Sequence, residues 1–221
     1  MHRKSISELL DDDLGTPAEI AASLRDLQRI NDWFGGTRTT IRVLRRIAKK
    51  AGGRTLSLLE LAAGNGQVPM AAREALRKQG VELHVTLLDR ETTHLPSNGI
   101  PSVAADALRL PFCDGGFDVV ACNLVAHHFE ADQLGQLARE GLRVARLAFV
   151  INDVIRSRLH LVLTYAGLPL FRSRLTWHDA PASVRRAYTP GEMSDILSGV
   201  GARKIDVSRH YLYRMAVLLW K

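Results

Sequence analysis

The chain has 221 residues, 46% of them apolar, and a net charge of +7; that length suits one domain with a sizeable core and leaves no room for a second full one. The opening "MHRKSISELLDDD" lacks the apolar stretch of a secretory signal and no apolar run is long enough to cross a bilayer, so a soluble, cytoplasmic protein is expected. Cys113 and Cys122 belong to no CxxC or Cys/His cluster, which disfavours a disulfide framework and structural zinc; both thiols are expected to be reduced and at least partly buried.

The positive charge is unevenly spread. Residues 1–37 carry four Lys/Arg against seven Asp/Glu, whereas residues 38–54 carry seven basic residues and no acid. "GTPAEIAASLRDLQRINDWF" places Thr16, Pro17 and Glu19 in a capping-box pattern, predicting a helix that ends at Gly35 and Gly36. In the basic run that follows, Ile41, Leu44, Ile47, Ala48 and Ala51 recur at helical spacing, so its Arg and Lys read as the solvated face of a second helix, with nucleic acid or an acidic partner as the alternative. Together these helices form an expected N-terminal cap, residues 1–53.

From residue 54 the pattern changes to short apolar strands separated by helices, the expected main domain of residues 54–221. In order come "TLSLLEL", a helix from about Gln67 to Gln79, "ELHVTLLD", "IPSVAAD", "FDVVACN", a helix from about Ala131 to Val144, and "RLAFVIND". Such alternation predicts a parallel sheet covered by helices on both faces. Residues 153–189 interrupt it with six Arg and two Asp around an apolar stretch, "LHLVLTYAGLPLF". "TPGEMSDILSGVG" then repeats the capping box with Thr189, Pro190 and Glu192, and "ARKIDVSRH" and "YLYRMAVLLWK" give two last strands. No internal repeat or linker is present.

Ligands of an open α/β sheet bind beyond the carboxyl ends of its strands. There the first strand offers Glu60 and then "LAAGNG", where Gly64 and Gly66 let a backbone approach a ligand and the next helix points its positive end at any carboxylate. The second strand ends in Asp89, the third leads into "ADALRLPF" with Asp106, and the fourth into "NLVAHHFE". In this order and spacing the residues resemble the class I S-adenosylmethionine-dependent methyltransferases, in the small-molecule branch typified by quinone-ring and polyketide-tailoring enzymes. "LLELAAGNG" is similar to that family's acidic glycine loop, "LLDRE" to its ribose-binding acid, and "ADALRLPFCDGGFDVV" to its adenine segment and fourth strand. The resemblance spans about Leu56 to Ile151, and "RRAYTPGEM" onward fits the family's closing helix and strand pair. It implies a Rossmann-like doubly wound sheet, mostly parallel with a C-terminal antiparallel pair, and S-adenosyl-L-methionine as cofactor. By the same resemblance Glu60 anchors the loop, Gly64 contacts the cofactor, Asp89 holds the ribose and Asp106 with Ala107 the adenine, while Ala62, Gly66, Arg90 and Asn123 border the site. Ala62 stands where the family most often has its first glycine, so a negative φ is expected there. The short "RETTHLPSNG" leaves room for only a stub of the second helix. A nicotinamide-binding reading is weaker, because Pro69 replaces the third glycine of G-x-G-x-x-G.

For the acceptor, His128 and then His127 are the candidate catalytic bases, against packed or solvated histidines with no chemical role. No Asn-Pro-Pro-aromatic segment follows the fourth strand and Cys122 lacks the setting of a covalent nucleophile, which disfavours methylation of base nitrogens or cytosine carbon. Residues 153–189 read either as an acceptor lid over a greasy pocket or as an ordinary helical hairpin, with Asp153, Arg156, His178 and Tyr188 as acceptor-site candidates and His160 as packing. No metal is expected. The reading is methyl transfer to a small, largely apolar acceptor, by O-methylation of a phenolic or polyketide-like compound or C-methylation of a quinone precursor. An RNA or protein methyltransferase using the basic face, and a non-catalytic binding module, are the alternatives.

Overall fold

The computed structural model describes residues 1–10, 14–53, 55–97 and 99–221; the expected domain start at residue 54 lies outside them. Helix α1 (Pro17–Trp33) begins at the Thr16 capping box, in which Thr16 and Glu19 satisfy each other's backbone N–H groups. Helix α2 (Gly36–Ala51) ends at Gly52 in the left-handed conformation. It buries Val43, Leu44, Ile47 and Ala48 and leaves Arg38, Arg42, Arg45, Lys49 and Lys50 exposed, the solvated face read from the sequence. This packs α2 into the core against the sheet, while α1 and residues 1–10 contribute to the cavity at the carboxyl edge.

Seven strands form one sheet: β1 (Thr55–Leu61), β2 (Glu82–Asp89), β3 (Ser102–Ala104), β4 (Phe117–Asn123), β5 (Ala145–Val154), β6 (Lys204–His210) and β7 (Arg214–Trp220). Their order is β3-β2-β1-β4-β5-β7-β6; the first five run parallel, and β7 is antiparallel to both β5 and β6. Side chains alternate between faces with a period of two. Leu59, Leu61, Val120, Phe149 and Ile151 meet α4 (Ala131–Val144) and the later helix at Pro190–Leu197, whereas Leu58, Val85, Leu87, Val119 and Val150 meet α2 and α3 (Gln67–Arg77). Both faces are thereby covered, which is why these strands are nearly continuous apolar runs.

The connections differ in places from the sequence reading. The third strand contracts to three residues, and after Asp89 the chain makes a single 3-10 turn, Thr92–His94. Cys122 is buried in β4, but Cys113 is exposed because it lies in the turn ahead of that strand. Between β5 and the last strands come α5 (Arg158–Gly167), a 3-10 turn at Leu168–Leu170, α6 (Arg174–Arg186) and α7 (Pro190–Leu197). Among the described residues no helix is long and apolar enough to cross a membrane.

β1 has β2 on one side and β4 on the other, so the chain's winding reverses between β1 and β4 and opens a crevice at their carboxyl ends. Beneath it α4 packs closely on β5: a Cβ built on Gly141 would lie 2.6 Å from the Phe149 ring. Gly141→Val is therefore expected to destabilise the protein by about 1–3 kcal/mol through overpacking, measured by denaturant unfolding.

Candidate active site

The crevice opens into a cavity of about 560 Å³. Its walls are the loop after β1 (Glu60 and Ala62 to Asn65), the end of β4 (Asn123, Leu124, His127, His128), and an apolar roof from α1, α5 and α6 that includes Leu27, Phe34, Leu163 and Phe171. Within residues 153–189, side chains between Val154 and Val184 contribute to these walls.

The loop after β1 is drawn across the end of β2 by two hydrogen bonds. Ala63 N donates to Leu88 O at 3.0 Å, and Gly64 N donates to Asp89 Oδ2 at 2.8 Å. This tight crossing forces Ala62 to φ 49°, not the negative φ expected, and it is tolerated because alanine carries the smallest side chain. Gly64 has φ 51° and a Cβ there would meet nothing within 4 Å, so any side chain would project into open space beside the cavity. Gly66 is fixed differently: a Cβ would come 2.6 Å from Leu87, so its bareness serves packing beneath the loop.

Glu60 is 2% exposed and faces the cavity. Asn123 Nδ2 donates to its Oε1 at 2.6 Å, Asn123 Oδ1 accepts from Thr40 Oγ1 and Asn152 Nδ2, and Glu60 Oε2 has no partner. Burial, offset in part by Asn123, pushes the Glu60 pKa up to about 7.

The second focus is the histidine pair on the 3-10 turn after β4. Asp153, 1% exposed at the end of β5, accepts from the His127 backbone N at 2.8 Å and pairs with His127 Nδ1 at 2.7 Å. On the far side His127 Nε2 lies 3.4 Å from Glu8 Oε1, and His128 Nε2 lies 3.8 Å from Glu8 Oε2. Burial would lower the pKa of His127, but Asp153 and Glu8 outweigh it and hold it up at about 10. Burial would likewise raise Glu8, yet His127, with His128 and Ser183 behind it, holds that carboxyl down at about 2. Glu8, His127 and His128 also bring ligand atoms within 4.8 Å of one another, a trio that could hold a metal ion and that the sequence reading did not anticipate.

Other expected residues lie outside the cavity wall. Asp89 braces Gly64 and accepts from Glu91 N at 3.0 Å. Asp106 is exposed and accepts from Leu108 N, Ala107 packs against the core, and Arg90 is exposed beside Glu91. Asp153 is absent from the cavity wall, and its oxygens bond to His127 and to Val154 N. Arg156 is buried against Ala187 O, Met1 O and Glu192; Tyr188 donates to Phe129 O at 2.8 Å; His178 is exposed on α6. His160, expected to be packing, lines the cavity and stacks on Tyr213 with ring centroids 5.0 Å apart.

Sequence reasoning missed Glu8 and Arg214. Residues 1–10 return to the site through Arg3, which donates to Arg186 O, Phe129 O and His127 O, and through Leu9 N and Leu10 N, which donate to Asp179. An isolated acid 119 positions before the histidines carries no spacing signal. Arg214 opens β7, lines the cavity and is 1% exposed; burial lowers its pKa to about 10, with Asp153 offsetting part of the shift. The preceding Leu212 and Tyr213 both have positive φ, 49° and 60°.

Residues 59–147 match the family model described as a methyltransferase domain. No curated protein matches the sequence. Among solved structures, the plantazolicin methyltransferase BpumL, in complex with a monoazolic desmethylPZN analog and SAH, is 14% identical at a TM-score of 0.70, over 97% of this chain and 94% of its own. A SAM-dependent methyltransferase from Aquifex aeolicus is 15% identical at 0.53, over 87% and 97%. Magnesium protoporphyrin IX methyltransferase (ChlM) from Synechocystis PCC 6803, with bound SAH, is 15% identical at 0.54, over 84% and 83%. These likenesses show the fold. The residues here also fit the cofactor that this fold implies: a bare Gly64 beside open space, and a buried Glu60 oxygen without a partner suited to a cationic ligand. Residues 59–147 thus match a methyltransferase domain, and the chain as a whole has the fold of the S-adenosylmethionine-dependent methyltransferases it is similar to.

Proposed function

We propose that the protein transfers a methyl group from S-adenosylmethionine to a small, largely apolar acceptor, by O-methylation of a phenolic or polyketide-like hydroxyl in preference to C-methylation of a quinone precursor. The observation that carries this reading is that one cavity joins the glycine loop, the histidine pair and an apolar roof. That BpumL is named a plantazolicin methyltransferase and ChlM a magnesium protoporphyrin IX methyltransferase supports a small-molecule acceptor.

When bound, S-adenosylmethionine supplies a methyl group already activated on a sulfonium sulfur. Glu60, Ala62, Gly64, Asp89 and Asn123 hold it, with Gly66 setting the loop and Arg90, Asp106 and Ala107 at the ribose and adenine end. The residues' remaining tasks are to align an acceptor oxygen, take its proton and exclude water. His127, kept charged between Asp153 and Glu8, stabilises negative charge developing on that oxygen. His128, at the same wall and less buried, takes the proton. α5, α6 and residues 1–10 form the lid over an acceptor that enters from the apolar side.

Calorimetric titration with S-adenosylmethionine and with SAH tests the cofactor half. Micromolar binding is expected, weakened by about 1–3 kcal/mol in Asp89→Ala; wild-type protein that binds neither ligand overturns the reading. Glu60 adds a pH signature. Its raised pKa means that the folded protein without ligand holds this proton more tightly than the unfolded chain, so stability falls as pH climbs from the ordinary carboxylate range toward about 7 and is flat above. A cationic ligand favours the carboxylate, so cofactor affinity is expected to rise between about pH 6 and 8 and then level off. Glu60→Gln should abolish that rise.

A screen of phenolic and quinone acceptors with radiolabelled methyl donor supplies the turnover assay. His128→Ala is expected to lower kcat by about 10²–10⁴-fold with SAH affinity unchanged, and unaltered turnover would remove His128 as the base.

A further inference from the structure

Arg214 is a cation in an unusual position. It is 1% exposed, it lines the cavity, and its Nη1 has no hydrogen-bond partner. Its Nη2 reaches only Asn31 Oδ1, at a long 3.4 Å. An arginine does not shed its proton when buried, so the guanidinium needs an anion or several good acceptors. The acid beside Met215 by strand register, Asp153, offsets the charge from a distance but makes no hydrogen bond to it, its oxygens being turned to His127 and Val154.

The surroundings are built to keep Arg214 there. Leu212 and Tyr213, immediately before it, hold consecutive left-handed conformations that ordinarily fall to Gly or Asn, and both side chains line the same cavity. Asn31 is seated by the absence of a side chain at Gly36, where a Cβ would lie 2.3 Å from Asn31 Oδ1. His160 stacks on Tyr213 and pairs its Nδ1 with Ile155 O, which closes this end of the cavity with uncharged groups.

We propose that Arg214, with Asn31 beside it, is a carboxylate-binding subsite for the methyl acceptor, which therefore carries an acidic group as well as the methylated hydroxyl. The inference rests on the reading of the cavity as an acceptor site. A guanidinium takes a carboxylate through two parallel N–H···O bonds, which fixes the orientation of an otherwise apolar molecule against the histidine wall. The methionine carboxylate of the cofactor is the other source of the same chemistry, and the experiment separates the two.

The test is calorimetry on the full chain, saturated with SAH, using 3-hydroxybenzoate and its neutral analogue 3-hydroxybenzamide. The benzoate is expected to bind at least tenfold more tightly than the amide. Arg214→Met should abolish that preference while leaving SAH affinity within twofold, and Arg214→Lys should retain part of it. No preference in the wild type, no benzoate binding, or an unchanged preference in Arg214→Met overturns the proposal. A tenfold loss of SAH affinity in Arg214→Met also overturns it, by giving the carboxylate to the cofactor. If Arg214→Met does not fold, the wild-type preference and the Arg214→Lys comparison decide. Wild-type protein that binds 3-hydroxybenzoate but not SAH would leave the subsite standing and remove the methyl-transfer reading instead.

Discussion

A carboxylate buried at the end of β5 organises this molecule's chemistry. Asp153 sits where the sheet is fully covered, so its charge has to be met by protein groups. Two contacts to His127, one from the backbone and one to the ring, fix both the turn after β4 and the orientation of the imidazole. The opposite ring nitrogen is thereby turned toward Glu8 and the cavity. Arg214 adds a positive charge on the neighbouring strand. The strand ends therefore carry a small set of opposed charges in a setting where each one acts strongly, since little water screens them.

That arrangement draws in parts of the chain far from the sheet in sequence. Glu8 reaches the histidines only because residues 1–10 are tied down by Arg3 to the carbonyls of the turn after β4 and by Asp179 to Leu9 and Leu10. α6 thus has two tasks: it roofs the cavity and holds the segment that supplies an acid. Loss of Asp179 would release a strap as well as a roof contact. The apolar half of the cavity, enclosed by α1, α5 and α6, is pinned in the same way: buried Asp26 of α1 accepts from Arg172 N and Ser173 N where α6 begins.

Four non-glycine residues hold positive φ among the described residues: Ala62, Leu124, Leu212 and Tyr213. All four line the cavity. Each costs roughly 1–2 kcal/mol against a relaxed backbone, and such strain persists only where surrounding structure over-determines it. At Ala62 the determinant is the pair of hydrogen bonds that lay the loop over β2. At Leu212 and Tyr213 it is the short turn that must deliver Arg214 inward as β7 begins.

The sequence by itself determined the sheet and what stands at its carboxyl edge, since runs such as "TLSLLEL" and "FDVVACN" can be satisfied only in strands covered on both faces, and since Glu60, Gly64 and Asp89 fall at or just past strand ends whose positions follow from the pattern. Local signals also set the caps: Thr16 with Glu19 and Thr189 with Glu192 need partners only three residues away. The tertiary structure alone decided the charged wall of the cavity. Asp153 and Tyr188 look like free functional groups in the sequence, yet folding commits the first to His127 and the second to Phe129 O. Glu8 and Arg214 look like surface charges, yet folding buries both in the cavity wall. The difference is one of range: periodicity and caps are written in neighbours a few residues apart, whereas a buried charge acquires its partner from segments that only the completed fold brings together.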